Sequence, residues 1–410
     1  MATYKLFRRF NPVIFFSAFG LIFIGLLAIY SATYNNPDVS GNFTKQMVSA
    51  IVGLVLVLTI TFLPTRYISI SAYMLYGLNI MLLVAVLFIG KKISGQTSWF
   101  SIAGFGIQPS EFAKFTTVLA LATFLNNKEK DTDITNLRDF SIAVFIGLLP
   151  VGLIMLQPDT GTSLVFLAML LPILYWAGMP NHVLFFIVAP AITAISAFLG
   201  TYYFIGALLL VLIGLFFFKK NILISTLVLT ATVLSGLSVN YVYNKLQPYQ
   251  QKRIIAMFSP ETDALGSGYN VIQSKIAIGS GGLWGKGFLQ GTQTQLKYIP
   301  EQWTDFIFCM VGEEFGFLGS LIVVILFLTL IWQTIHIAYT CKNRFLSICS
   351  IGFSSIFLFH MVINLGMTMG IMPVIGIPLP FMSYGVSFLL ANLCMLGVIM
   401  NAHRNRKDYT

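Results

Sequence analysis

Residues 305–334 read DFIFCMVGEEFGFLGSLIVVILFLTLIWQT. The stretch contains Asp305, Glu313 and Glu314, no Lys or Arg, and no charge at all after Glu314. A helix climbs about 1.5 Å per residue, so ~20 apolar residues cross the hydrocarbon core of a bilayer. This run is long enough to cross, and its acids all lie near its start.

Working outward from it, similar apolar runs recur along the chain. Spans are expected near 12–31, 46–63, 67–90, 110–126, 139–157, 161–177, 182–199, 202–218, 221–240, 305–334, 346–368 and 383–402. The fourth and sixth are short and the cluster from 182 to 240 is hard to divide, so ten or eleven spans remain alternatives to twelve. Only 9% of the 410 residues are charged and 57% are hydrophobic, whereas a soluble chain carries about 25% charge. That excludes a soluble globular enzyme, a disordered chain and a fibre. The expected fold is an all-α polytopic membrane protein with about 10–12 transmembrane helices. Its divisions are an N-terminal block (1–240, about nine spans), one long loop (241–304), and a C-terminal block (305–410, about three spans and a short tail).

The net charge of +10 suggests nucleic acid, but no basic stripe or binding motif exists, so a nucleic-acid partner is rejected. The positive-inside rule explains the excess instead. With the N-terminus inside, the inner segments hold Lys5, Arg8, Arg9, Arg66, Lys128, Lys130, Arg138, Lys219, Lys220, Lys342, Arg344, Arg404, Arg406 and Lys407, which is 14 of the 24 basic residues. Short outer loops hold little beyond Lys45, Lys91 and Lys92. Both termini are therefore expected to be cytoplasmic and the long loop outside. The basic start runs into a full-length span with no small-residue cleavage site, so no cleavable signal peptide is expected. Cys309, Cys341, Cys349 and Cys394 form no CxxC, and His182, His336, His360 and His403 form no metal pattern.

The long loop is no linker. It mixes aromatic residues, an amphipathic stretch (Val271 to Ile278) and glycines at 279, 281, 282, 285, 287 and 291, and should fold against the outer membrane face. Its glycines do not fit a phosphate loop, because Gly287 follows Lys286 where Ser or Thr is required.

Ionisable groups inside spans are costly and usually functional. Asp38, Glu129, Asp131, Asp133, Glu261, Asp263 and Asp408 read as solvated, and Asp139 as a helix-start residue. The others stand out: Glu111 in QPSE with Lys114 at i+3, Asp159 in QPDTG, Glu301 and Asp305 in PEQWTD, and Glu313 with Glu314. Taken singly, Ser110, Glu111 and Asp159 could merely cap helices, and Glu111 with Lys114 could be a plain i,i+3 pair. Three such motifs opening on one side are better read as one cavity at the outer leaflet. At the start of a long apolar helix, Asp305 is placed for a raised pKa and a role as general base. The last loop, MPVIGIPLPFMSYG (372–385), carries three prolines in an apolar setting and is read as a shaped cavity wall rather than a helix.

Together these motifs resemble the SEDS family (shape, elongation, division and sporulation). The matching segments are QPSEFAKF (108–115), QPDTGTS (157–163), YQQKRI (249–254), GSGYNVIQSKIAIGSGGLWGKG (266–287), GTQTQLKYIPEQWTDFIF (291–308), GEEFGFLG (312–319) and GIMPVIGIPLPFMSYG (370–385). The GTQ-Q-L segment and the long loop favour the rod-shape branch over the division branch. Three departures exist. Ser98 precedes Trp99 where the family usually has Arg, residues 200–240 look like two spans inserted into a ten-span pattern, and Val386 stands where Gly is common.

The resemblance implies a peptidoglycan glycosyltransferase of the bacterial cytoplasmic (inner) membrane. Such an enzyme polymerises lipid II, an undecaprenyl-diphosphate disaccharide-pentapeptide, into a growing glycan strand during elongation. It implies Asp305 as general base and Glu111, Lys114 and Asp159 in the cavity. It also implies Arg253 and Lys275 as diphosphate contacts, with Gln108, Gln157, Trp99, Glu301, Thr304, Ser383 and Tyr384 as further cavity or substrate residues. No cofactor is certain; a divalent cation such as Mg2+ or Mn2+ could bridge diphosphate and carboxylate. Implied partners are a class B penicillin-binding protein transpeptidase and other elongation-complex membrane proteins. Two competing readings remain at this point: a lipid II flippase, and a non-catalytic scaffold for the transpeptidase.

Overall fold

In a computed structural model of the chain, residues 10–35, 39–93, 96–102, 105–126, 137–218, 222–258 and 266–407 are described. Lys5, Arg8, Arg9, Lys128, Lys130, Lys219 and Lys220, and the acids Asp38, Glu129, Asp131, Asp133, Glu261, Asp263 and Asp408, lie outside them.

Helix α1 (Pro12–Tyr34) starts where Asn11 accepts hydrogen bonds from the N–H groups of Val13 and Ile14, with proline in the first turn, a strong start signal. It is followed by α2 (Gly41–Phe62) and α3 (Thr65–Ile89). A three-stranded antiparallel meander then forms from β1 (Lys91–Ile93), β2 (Gln96–Ile102) and β3 (Phe105–Ile107), in the order β1-β2-β3. The hydropathy pattern gave no sign of these strands. Seven long helices come next: α4 (Pro109–Asn126), α5 (Leu137–Met155), α6 (Thr160–Trp176), α7 (Asn181–Leu199), α8 (Thr201–Phe218), α9 (Ile222–Lys245) and, after the long loop, α13 (Ile307–Thr340). The loop itself carries α10 (Pro248–Phe258), α11 (Ser267–Ser280) and the single turn α12 (Thr292–Gln295). Helices α14 (Arg344–Thr368) and α15 (Val386–Arg404) complete the chain.

Each expected span coincides with a helix, and among the described residues nine of these helices are long and apolar enough by themselves to cross a membrane. Helices α6 and α8 are shorter apolar helices. Helix α4 is buried along nearly its whole length, so it can carry polar side chains that lipid would not tolerate. Helices α14 and α15 are likewise mostly buried. With α4 they form the centre, around which α1, α2, α3, α5, α6 and α13 pack in one continuous core. Helices α7, α8 and α9 pack mainly on one another around Ala189, Val211, Leu215 and Val228, beside that core.

The expected span 305–334 is corrected at both ends and in the middle. Its helix runs from Ile307 to Thr340, and Gly316 (φ 65°, ψ −159°) breaks it. The break is filled by the glycines of the long loop. The N–H groups of Lys286 and Gly287 donate to the carbonyls of Glu313 and Glu314, both at 3.0 Å. Those of Phe317 and Leu318 donate to the carbonyls of Gly282 and Leu283, at 2.9 and 3.2 Å. Backbone approach this close admits no side chain: a Cβ on Gly285 would lie 2.1 Å from the Glu314 carbonyl oxygen. The glycine cluster is thus a main-chain seam.

The two ends of the bundle differ in chemistry. One gathers Arg66, Lys342, Arg344, Arg404 and Arg406. There Arg344 donates to the Ala177 carbonyl (3.0 Å), Arg404 to that of Thr61 (3.2 Å), and the Lys342 N–H to that of Arg406 (3.0 Å). Cations at helix C-termini suit the helix dipole. The other end, an α4 length (~27 Å) away, carries the acids.

Candidate active site

Four chain segments converge at the acid-bearing end: the start of α4, the start of α6, the turn before α13, and the 370–385 loop. Asp159 caps α6, accepting from the N–H and hydroxyl of Thr162 at 3.0 and 2.8 Å. Its second carboxylate oxygen also accepts from the Gln108 amide at 3.2 Å, so capping and site-building are one arrangement. Gly161 then packs on the loop, where its Cβ would lie 3.1 Å from the Ile375 carbonyl oxygen. The main chain of Gln108 is held by Ser387 (3.1 Å), whose hydroxyl donates in turn to the Gly106 carbonyl (3.1 Å). The β-meander is thereby pinned to the start of α15. Trp99 of β2 covers Gly106, with a ring atom 3.1 Å from where a Cβ would sit. Ser98, which precedes Trp99, is fully buried.

Asp305 sits in the turn before α13, half-buried, with Oδ2 3.4 Å from a Cβ placed on Gly376. Removal from water pushes its carboxyl up to about 7; Glu301 adds to this, Arg253 opposes it, and Asp159 adds again. These four charged groups therefore share one electrostatic environment. Glu301 is exposed and left-handed (φ 52°), and its carbonyl accepts from the Thr304 hydroxyl at 3.0 Å. Ser383 is a clip. Its hydroxyl donates to the Thr304 carbonyl (2.6 Å) and accepts from the Leu379 N–H (2.8 Å). The Tyr384 N–H donates to the Trp303 carbonyl at 2.9 Å, and burial pushes its phenol up, keeping it protonated. The 370–385 loop is therefore a wall fastened to the Asp305 turn.

Other expected residues are placed less directly. Glu111 and Lys114 form an ion pair at 2.7 Å, both almost fully buried beneath the site rather than open to it. Gln157 is fully buried and its amide donates to the Leu83 carbonyl at 3.3 Å. Exposed Lys275 of α11 lies across Gly370, at the start of the loop wall. Glu313 accepts from Lys286 (2.7 Å) and from the N–H groups of Gln293 and Thr294 (2.9 and 3.0 Å). It caps α12, while Glu314 accepts from Ser31. Both acids hold the loop rather than the reacting centre.

Sequence reasoning missed Gln46, His360, Asn364 and Ser387. The amide of Gln46 spans the last turn of the wall, donating to the Ser383 carbonyl (3.0 Å) and accepting from the Gly385 N–H (3.1 Å). Each is a lone polar residue in an apolar helix or at its start. That signal was available, but it was followed only for acids.

A family model for cell cycle proteins, covering FtsW, RodA and SpoVE, matches residues 12–206 and 183–408. The chain belongs to this family. The two matches overlap at 183–206, within α7 and the start of α8 of the peripheral unit, so the family pattern does not run through that region as one continuous stretch. Similar relatives include the peptidoglycan glycosyltransferase RodA of Treponema pallidum, 34% identical over 96% of this chain and 97% of its own. The peptidoglycan glycosyltransferase MrdB of Escherichia coli K12 is 32% identical over 97% and 94%. Among solved structures, a chain of a peptidoglycan synthase complex that coordinates polymerization and crosslinking superposes with a TM-score of 0.73 at 30% identity, covering 97% of this chain and 99% of that one. The rod shape determining protein RodA of Thermus thermophilus gives 0.64 at 26% identity, over 97% and 98%. This SEDS-type bundle is a multi-pass membrane protein.

Proposed function

We propose that the protein is a peptidoglycan glycosyltransferase of the rod-shape branch, polymerising lipid II at the outer face of the bacterial cytoplasmic membrane. The observation that carries this is Asp305: a carboxyl at the mouth of the bundle, pushed up to about 7, where a general base works best. Its carboxylate takes the proton of the acceptor GlcNAc 4-hydroxyl. That oxygen then attacks the anomeric carbon of the donor MurNAc, and the bond to the diphosphate breaks. Arg253, which shares the field of Asp305, and Lys275 meet the negative charge of the departing undecaprenyl diphosphate. Asp159 and Gln108 form the facing wall. Glu111 and Lys114 support it from below.

Among the described residues no three His, Cys, Asp or Glu side chains gather as a metal cage. The separation of basic and acidic ends supports cytoplasmic termini and an outer long loop. The similarity to a chain of a synthase complex supports a class B penicillin-binding protein as partner.

The test is purified protein supplied with lipid II in detergent. Glycan strands should form without any other transferase, and Asp305→Ala should abolish them. Undiminished polymerisation by Asp305→Ala refutes the base assignment. Transbilayer movement of lipid II without polymer would establish the flippase reading instead.

A further inference from the structure

One face of α14 carries three polar residues at helical spacing, His360, Asn364 and Thr368, each nearly or fully buried. Positions i, i+4 and i+8 stack on one side of a helix, so the three form a stripe. Buried polar groups in a membrane helix are expensive unless bonded. The His360 and Asn364 side chains bond to other segments, and the Thr368 hydroxyl bonds back to the Asn364 and Leu365 carbonyls of its own helix.

Asn364 uses both hydrogens of its amide nitrogen. One goes to the Asp305 carbonyl and the other to the Ile377 carbonyl, each at 2.8 Å. His360 Nδ1 lies 2.8 Å from the Pro378 carbonyl oxygen. A carbonyl only accepts, so Nδ1 carries the proton and Nε2 presents a lone pair. That lone pair faces the Lys114 ammonium at 3.2 Å, and Lys114 in turn holds Glu111 at 2.7 Å. One turn beyond Asn364, the Thr368 carbonyl accepts from Ser274 of α11 at 2.7 Å. The wall residue next to Ile377 is Gly376, which lies against the Asp305 carboxylate.

We propose that His360 and Asn364 are positioning residues that fix the Asp305 carboxylate against the 376–378 wall and connect the buried Glu111–Lys114 pair to it. Asn364 sets the main chain from which Asp305 hangs and, with the same nitrogen, the wall its carboxylate faces. His360 anchors the next wall residue to Lys114. The Glu111–Lys114 pair thus acts on the site through His360 and the wall. This rests on Asp305 being the base. A displacement near 1 Å at a reacting group costs on the order of a hundredfold in rate.

The test compares Asn364→Leu, His360→Leu and His360→Gln with wild type in the lipid II assay, recording kcat, KM and the pH profile. Gln keeps one donor and one acceptor at the span of the imidazole. Expected are a loss of at least about tenfold in kcat for Asn364→Leu and His360→Leu, with KM within about threefold. The pH limb of Asp305 should move in Asn364→Leu, and His360→Gln should recover most of the His360→Leu loss. A folded Asn364→Leu protein with wild-type kcat and an unmoved limb overturns the proposal. So does equal activity of His360→Gln and His360→Leu. If Asn364→Leu does not accumulate in membranes, the His360 pair decides alone. An active wild type with unaffected stripe variants refutes positioning only, whereas a wild type that makes no polymer refutes the polymerase reading itself.

Discussion

At the scale of single residues, Asp305 governs the expected pH behaviour. Only the carboxylate can take a proton, so kcat/KM should rise with pH through about 7 and level off above it. Glu301→Gln removes a like charge and should shift that limb to lower pH; Arg253→Gln removes an opposing charge and should shift it higher. A pH–rate series on the three proteins checks both signs. Stability carries the same signature. The folded pKa lies above the ordinary carboxylate value, so the folded protein binds more protons than the unfolded between about 4 and 7. Stability therefore falls as pH rises through that window. Asp305→Asn should remove this dependence and melt higher than wild type at pH 8, at the cost of activity. Asp305 was legible in the sequence because an acid at the mouth of a long apolar helix has few bland explanations. His360 and Asn364 were not, since their partners are carbonyls of a loop whose path only the fold reveals.

At the scale of elements, the break in α13 is the feature least visible beforehand. An apolar run of that length reads as one helix, and the glycines that fill its break lie about thirty residues earlier. Gly285→Ala would place a Cβ 2.1 Å from the Glu314 carbonyl oxygen at φ +85°. It should destabilise the protein by about 1–3 kcal/mol. Gly279→Ala, in α11 with nothing within 4 Å of its Cβ, should be neutral or stabilising by up to ~1 kcal/mol. Thermal melts in one detergent compare them. The β-meander was missed for a related reason: strands this short add too little hydropathy signal between two long spans.

At the scale of the whole molecule, the twelve apolar runs and the charge bias were legible because bilayer thickness and Lys/Arg placement act on composition. The peripheral α7–α9 unit was legible only as a region hard to divide, since apolar helices facing lipid and those facing protein look alike in sequence. Orientation is testable directly. A membrane-impermeant maleimide should label Leu296→Cys in intact cells and Lys407→Cys only after permeabilisation, each measured against the parent chain. The reverse pattern would invert the topology and place Asp305 on the wrong side for lipid II.

The seam at Gly316 bears on how the protein is made. In hydrocarbon, main-chain groups without partners are strongly unfavourable. The carbonyls of Glu313 and Glu314 and the N–H groups of Phe317 and Leu318 find theirs on residues 282–287. During synthesis those loop residues emerge before the span they complete, and their main-chain groups stay without these partners until it is made. Assembly therefore has an obligatory order, in which a segment made earlier finishes a helix that arrives later.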